Sequence, residues 1–215
     1  MKTCGLSAWF VENRYRSESL KLLEPVLQLD DYVLINLTAS RKVYEISKAL
    51  NFLDFEEDEV CILPRLAFVD FLRYKGSIVV REKEITALLN DNDLLIYDDH
   101  KTYNYNHMVL QPAGENTDYC YMVYKRINRK RLPAIRIDYI SNKEIFVKYI
   151  GQIIFEAFKT RPFLFLFVDS RLIAPHHIFL SFKSKLKVPR FYRPDRNGSI
   201  PTNDNLYSEF ALLDF

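Results

Sequence analysis

Glycine is scarce. The chain holds 5 in 215 residues, where typical usage is about 7%, and this nearly excludes a glycine-rich phosphate loop before any motif is sought. Cysteine is nearly absent too. Cys4, Cys61 and Cys120 lie far apart and are odd in number, with no CxxC pair. Neither a zinc site nor a disulfide framework is expected, no metal is called for, and a reducing compartment fits best. No sign of charge dominates: 30 Lys and Arg face 28 Asp and Glu, a net +2, which argues against a nucleic-acid partner held by bulk charge. The longest apolar run, near Phe163–Val168, is too short to span a bilayer. The opening MKTCGLSAWFVENRYR shows no apolar core followed by a small-residue cleavage site. HExxH, GxSxG and Walker patterns are missing. These absences predict a soluble cytoplasmic protein with no membrane partner.

Apolar residues make up 48% and charged residues 27%, the balance of a folded globular chain. With 16 Phe and 14 Tyr, broad packed sheet surfaces are expected. Alternation of Leu6, Ala8 and Phe10 with Ser7 and Trp9 predicts a strand over Gly5–Val11. Leu20, Leu23, Val26 and Leu27 recur at helical spacing and predict a helix from about Glu18 to Gln28, capped by Ser17 or Ser19. Tyr32–Leu37 reads as a strand buried on both faces, Arg41–Leu50 as a helix and Glu59–Leu63 as a strand. This β-α-β-α-β order implies a partly parallel sheet with right-handed crossovers.

Beyond Pro64 the pattern predicts helices over Leu66–Tyr74 and Glu82–Asn90 around a strand Ile78–Arg81. Strands over His107–Gln111, Tyr119–Ile127 and Ala134–Ile140, separated by polar turns, predict an antiparallel meander. An amphipathic helix over Lys143–Lys159, a buried strand Phe163–Val168, an irregular stretch Arg171–Asn205 and a closing strand Tyr207–Leu213 complete the reading. Strand-turn-helix-strand occurs in both halves, which hints at a duplicated unit.

The segment LSAWFVENRYRSESLKLL resembles the acyl-CoA-binding strand-loop-helix of the GNAT acyltransferase superfamily, and NLTASRKVYEISKALNF resembles that superfamily's next strand and helix. CYMVYKRI, LPAIRIDYI and LYSEFALL are similar to a second, degenerate module of the same kind. The resemblance implies an α/β (α+β) fold, a mixed sheet flanked by helices, in two modules: a partial one over 1–63, a mostly helical connection over 64–106, and a second module over 107–215. Met1 falls just before the strand that would be the fourth of a full module. Either a preceding segment is absent from this sequence or the second half supplies the missing strands.

The resemblance also implies a site. A pyrophosphate is held by backbone N–H groups at a helix N-terminus, and the family's Gln/Arg-x-x-Gly-x-Gly/Ala pattern falls on Arg14-Tyr15-Arg16-Ser17-Glu18-Ser19, with serines at both glycine positions. Acyl-CoA or acetyl-CoA would then lie against Arg14, Arg16, Ser17 and Ser19, its pantetheine along Gly5–Val11 and Tyr32–Leu37, and Asn36 near the thioester. The family's thiolate-protonating tyrosine position falls on Ser47, one turn beyond Tyr44, and Asn51 stands where the family has glycine before Phe52. Tyr44 and Ser47 share a helix face, and Glu12 is the candidate base. For each the plainer alternative is structural: a serine-capped helix, a packing tyrosine, a hydrogen-bonded asparagine.

Other groupings are weaker. Asp98-Asp99-His100 and His176-His177 read as solvated loops, and Cys61 and Cys120 as inert core thiols. Lys125, Arg126, Arg129, Lys130 and Arg131 read as charges decorating a hairpin tip. Lys183–Arg196 interleaves six basic residues with Phe182, Phe191 and Tyr192, a mixture suited to a phosphorylated ligand, single-stranded nucleic acid or an acceptor lid. The sequence thus predicts an acyl-CoA-dependent acyltransferase acting on a small-molecule amine or hydroxyl. A non-catalytic GNAT-like scaffold is the alternative, and a nucleic-acid binder a distant third.

Overall fold

The structure, a computed structural model, describes residues 2–6, 12–55, 58–64, 71, 74–114, 118–179, 181–186, 188–200 and 205–208, excepting the side chains of Asn13, Arg16 and Ser17. It is a mixed α/β fold with two mixed sheets flanked by helices. Two compact units are present: Met1–Glu57 with Leu186–Leu212, and Asp58–Lys185 with Leu213–Phe215.

In the first unit, β1 (Lys2–Gly5) runs parallel to β2 (Tyr32–Asn36) with Lys2 opposite Tyr32 and Gly5 opposite Ile35. The N–H of Leu6 donates to Ile35 O at 2.7 Å. The connection is a 3-10 segment, Asn13–Leu22, followed by a single turn α1, Glu24–Leu27, with Pro25 in its first turn. The α-helix predicted from Glu18 is therefore corrected. Glu12, at the start of the segment, makes no side-chain cap hydrogen bond, and Pro25 cannot donate to a continuing helix. β2 is buried on both faces as expected: Val33 and Ile35 pack with Leu37, Phe55 and Tyr192, while Leu34 packs with Ala39, Phe52 and Phe191.

Next comes α2 (Arg41–Ala49), where Ser40 Oγ accepts from Val43 N at 3.4 Å. The helix ends at Asn51 with φ of 63°, and Phe52 N returns to Ser47 O at 3.0 Å. That left-handed position suits glycine, and asparagine tolerates it better than most residues. The sheet closes with β3 (Leu53–Asp54) and with β11 (Phe191–Arg193), which lies antiparallel between β2 and β3.

The second unit holds a seven-stranded sheet. Its strands are β4 (Asp58–Ile62), β5 (Gly76–Val79), β6 (Asn106–Pro112), β7 (Cys120–Arg129), β8 (Leu132–Ile140), β9 (Phe165–Asp169) and β10 (Ser181–Lys185). The spatial order is β10-β4-β9-β8-β7-β6-β5, and β8 with β9 is the parallel pair. The meander is as predicted. Its β7–β8 turn puts Lys130 and Arg131 at φ of 52° and 66°, the two left-handed positions of a tight hairpin.

One sheet face packs on α5 (Lys143–Lys148) and α6 (Ile150–Thr160) through Phe146, Ile150, Ile153, Ile154 and Ala157. The single helix predicted over Lys143–Lys159 is broken at Tyr149, which leaves helical geometry and packs its ring 5.5 Å from that of Tyr74. The helix predicted over Glu82–Asn90 stops sooner: α3 spans Glu82–Thr86, and Asn90 instead caps α4, Asp91–His100. The stretch 171–205 is more ordered than predicted, carrying α7 (Ser170–Ile173), β10 and β11. Most of the helix predicted over Leu66–Tyr74 lies outside the described residues, as does the strand predicted over Tyr207–Leu213 beyond Ser208.

Candidate functional site

The predicted donor segment occupies the 3-10 stretch of the first unit. Arg14 Nε donates to Glu12 Oε2 at 2.8 Å, and its guanidinium lies 4.8 Å from the Tyr15 ring centre. Lys21 pairs with Glu18. The structure thus brings Glu12 and Arg14 together as an exposed ion pair. Ser19 is half-buried, while Val11 and the side chains of Arg16 and Ser17 lie outside the described residues. Asn36 Oδ1 accepts from Thr38 N at 3.1 Å. Tyr44 is half-buried with its ring 6.1 Å from Phe191, and Ser47 is buried one turn on.

A second, denser arrangement stands in the second unit. Along β7, Cys120, Met122 and Tyr124 face the helices, so alternation turns Tyr121, Val123 and Lys125 to the opposite face. There His107 Nδ1 lies 2.8 Å from Tyr121 Oη, and His107 Nε2 is buried with no partner among the described residues. Burial, with the nearby His100 second, pulls the His107 pKa down to about 4. Tyr105 Oη is likewise buried, beside Asp138 and Arg136, and its pKa is raised by burial first and then by Asp138. Lys125, 2% exposed, sits 4.8 Å from the Tyr105 ring centre. Its register partner is Arg136, a like-charge pairing that Asp138 offsets, since Arg136 Nε and Nη2 donate to its two carboxylate oxygens at 2.8 and 3.0 Å.

Beside this lies a closed ring of hydrogen bonds. Tyr119 Oη donates to Asp93 Oδ2 at 2.6 Å and Tyr139 Oη donates to Asp93 Oδ1 at 2.8 Å. Asn90 Oδ1 accepts from Asp93 N at 2.9 Å, and Asn90 N donates to Tyr119 Oη at 2.9 Å. Burial and the Asp93 carboxylate push Tyr119 up to about 12, and the same causes raise Tyr139. These groups surround an irregularity in β8. Tyr139 is opposite Val123 and Ile137 is opposite Tyr124, so Asp138 is an added residue, a β-bulge. Pairing with β9 runs from Ala134–Phe165 to Ile137–Val168 only, and β8 continues to Ile140 past that point.

The sequence reading missed this cluster. Its signals were an Asn-x-x-Asp capping pattern at Asn90–Asp93 and polar residues at alternate positions of the strands CYMVYKRI and LPAIRIDYI. Three other readings are corrected. His100 is not on an exposed turn: it ends α4, 2% exposed, with Nδ1 2.8 Å from Ile96 O, and helix geometry turns Asp98 outward to Lys101. Among the basic residues near the hairpin, only Lys130 and Arg131 sit at the tip. Arg126 donates to Arg161 O and Ala157 O at 2.8 and 2.7 Å, and Arg129 pairs with Glu59. Within Lys183–Arg196, Phe191 and Tyr192 are core residues and Arg193 donates to Leu27 O at 2.8 Å, so this is no aromatic-basic lid.

Cys61 and Cys120 are buried, and burial pushes their thiols up to about 11 and 12. Among the described residues no group of three or more His, Cys, Asp and Glu converges to hold a metal, and no helix is long and apolar enough to cross a membrane.

The fold is shared with a solved acetyltransferase. A GCN5-related N-acetyltransferase from Anabaena variabilis matches 91% of this chain with a TM-score of 0.51 and 12% identity, and the chain spans 55% of that protein's length. A GCN5-related N-acetyltransferase from Kribbella flavida matches over 90% of this chain and 81% of its own, at 9% identity and a TM-score of 0.48. A conserved protein of unknown function from Staphylococcus epidermidis covers 89% and 80% respectively, at 11% identity and 0.44. No family model matches the sequence, and no curated protein matches it.

Proposed function

We propose that this chain is an acyl-CoA-dependent acyltransferase of GNAT type, built as two modules, that moves an acyl group to an amine or hydroxyl of a small-molecule acceptor. In that reaction the acceptor's nitrogen or oxygen bonds to the acyl carbon while the carbon–sulfur bond breaks and the thiolate takes a proton. The observation that carries the reading is the open end of the parallel pair β8–β9, where Asp138 bulges out of the ladder just past the last paired residues, Ile137 and Val168. A bulge frees backbone N–H groups from strand pairing. Such groups, fixed in place beforehand, polarise a thioester carbonyl without reorganising as charge develops.

The segment Arg14–Ser19 is the other placement for the donor. It offers two arginines, but the Glu12 carboxylate already holds Arg14, and a 3-10 stretch aligns its N–H groups less well than an α-helix does. One observation favours the scaffold reading instead. At the turn after β8, Asn142 Oδ1 accepts from Ile145 N at 3.1 Å, Ser141 Oγ accepts from Tyr121 N at 2.8 Å, and Lys143 Nζ donates to Arg171 O and Ala174 O at 3.3 and 3.2 Å. These groups are engaged by the chain itself, where a phosphate would need them.

Calorimetric titration of the full chain with acetyl-CoA and with free CoA decides the matter. Micromolar binding is expected, retained when Arg14 and Arg16 are both changed to Ala. Loss of binding in that double variant moves the donor to the first unit. No heat and no thermal shift at millimolar ligand leaves the scaffold.

A further inference from the structure

The bulge at Asp138 is held from both sides. On one, Arg136 grips the Asp138 carboxylate with two nearly parallel hydrogen bonds of 2.8 and 3.0 Å. On the other, the hydroxyl of Tyr139, the next residue, is anchored at 2.8 Å to Asp93 of α4, which is 3% exposed. An added residue in a ladder is left unpaired and the ladder around it is disrupted, so strand pairing constrains it less than its neighbours. Two charge-assisted anchors on consecutive residues remove that freedom. Asp93 is fixed at the start of α4 by its own N–H, which donates to Asn90 Oδ1 at 2.9 Å; Tyr119 Oη donates to its other carboxylate oxygen, not the one that holds Tyr139.

We infer that Asp93 is a positioning residue for acyl-donor recognition. It acts through Tyr139 to fix the backbone of Asp138 and Tyr139 in the geometry that receives the donor's carbonyl. The inference rests on the acyl-transfer reading above and names how that site is held. Asp93 acts on the acyl end alone. Acetyl-CoA presents a carbonyl to the bulge and free CoA does not, so the tether should matter for one ligand and not for the other.

The test compares Tyr139→Phe with Tyr119→Phe in the full chain. Each removes one hydrogen bond to Asp93, but only Tyr139 belongs to β8. Acetyl-CoA affinity is expected to fall about tenfold in Tyr139→Phe, the worth of one well-placed hydrogen bond, while free-CoA affinity and the Tyr119→Phe variant's affinities stay within about twofold. Amide exchange at Asp138–Ile140 should quicken in Tyr139→Phe alone. Equal acetyl-CoA affinity in Tyr139→Phe and the parent overturns the inference and leaves the acyl-transfer reading standing. Equal weakening by both variants also overturns it, assigning Asp93 to fold stability only. Failure of the unaltered chain to bind either ligand overturns the reading and the inference together.

Discussion

His107 shows how a single buried side chain can make stability depend on pH. Its ring is clamped between the Tyr97 ring at 4.8 Å and the Tyr121 hydroxyl, with Nε2 buried and unpartnered among the described residues and buried His100 close by. A charge there would lose hydration without gaining an anion, so the folded chain holds the imidazole neutral down to pH about 4. An unfolded chain takes up that proton near pH 6.5. Between these values the unfolded state binds more protons, so stability falls as pH drops from about 6.5 to 4. The loss reaches about 3 kcal/mol at the lower end. Urea titrations across this range should show His107→Gln with a slope against pH smaller by close to one proton than the parent. An unchanged slope would mean the ring takes up its proton in the folded chain. Lys125 is the opposite case at the same scale. It is as buried as any core residue, yet it is matched by the Tyr105 ring face and by other contacts, which the run Lys125-Arg126 in a strand sequence does not reveal.

Among elements, β11 does most with least. It has three residues, yet it lies between β2 and β3 and brings Phe191, wholly buried, edge-on to Phe52 at 5.4 Å, and Tyr192 against Phe55 at 4.7 Å. Truncating Phe191 to Ala should cost about 3–5 kcal/mol, the range for a buried aromatic whose cavity cannot collapse. Phe179→Ala, at a residue 79% exposed, should stay within about 0.5 kcal/mol. Denaturant midpoints compare the two, and equal effects would show that β11 is not part of the core. The local pattern hid this strand because both phenylalanines sit in the same basic, proline-containing stretch and burial is decided by partners over 130 residues away in the chain. Where the pattern was local it was readable: β2 as an unbroken apolar run, α2 from its spacing, and the meander from alternation and polar turns. α4 was hidden by four aspartates, of which Asp91 and Asp93 suit a helix start while Asp98 and Asp99 near its end obscure the apolar stripe. The bulge at Asp138 was hidden because register is a property of two strands and not of one. The 3-10 geometry after β1 was hidden as well, because Leu20, Leu23, Val26 and Leu27 keep a helical spacing.

At the scale of the whole chain, the second unit is an insertion. Apart from the last three residues it is one continuous stretch, Asp58–Lys185, while the first unit is assembled from the stretches on either side. Its first and last strands are antiparallel neighbours with Asp58 opposite Lys185, so the chain enters and leaves this unit at positions about 5 Å apart. An insertion with adjacent ends constrains its host little, and both parts can keep their own sheets. The stretch 58–185 also contains all seven strands of its sheet and both helices, α5 and α6, that cover its main core. Expressed alone, it should unfold cooperatively and give dispersed amide spectra. Residues 1–57 alone should not, since they lack β11, the strand that joins β2 to β3. Linking residue 57 to residue 186 through a short glycine-containing turn should restore that sheet without the insertion, read as a cooperative thermal transition that the 1–57 fragment does not show. A folded 1–57 fragment would mean that β11 is dispensable to the first unit's sheet, and an unfolded 58–185 fragment would mean that the second unit needs more than its own sheet and core to be stable.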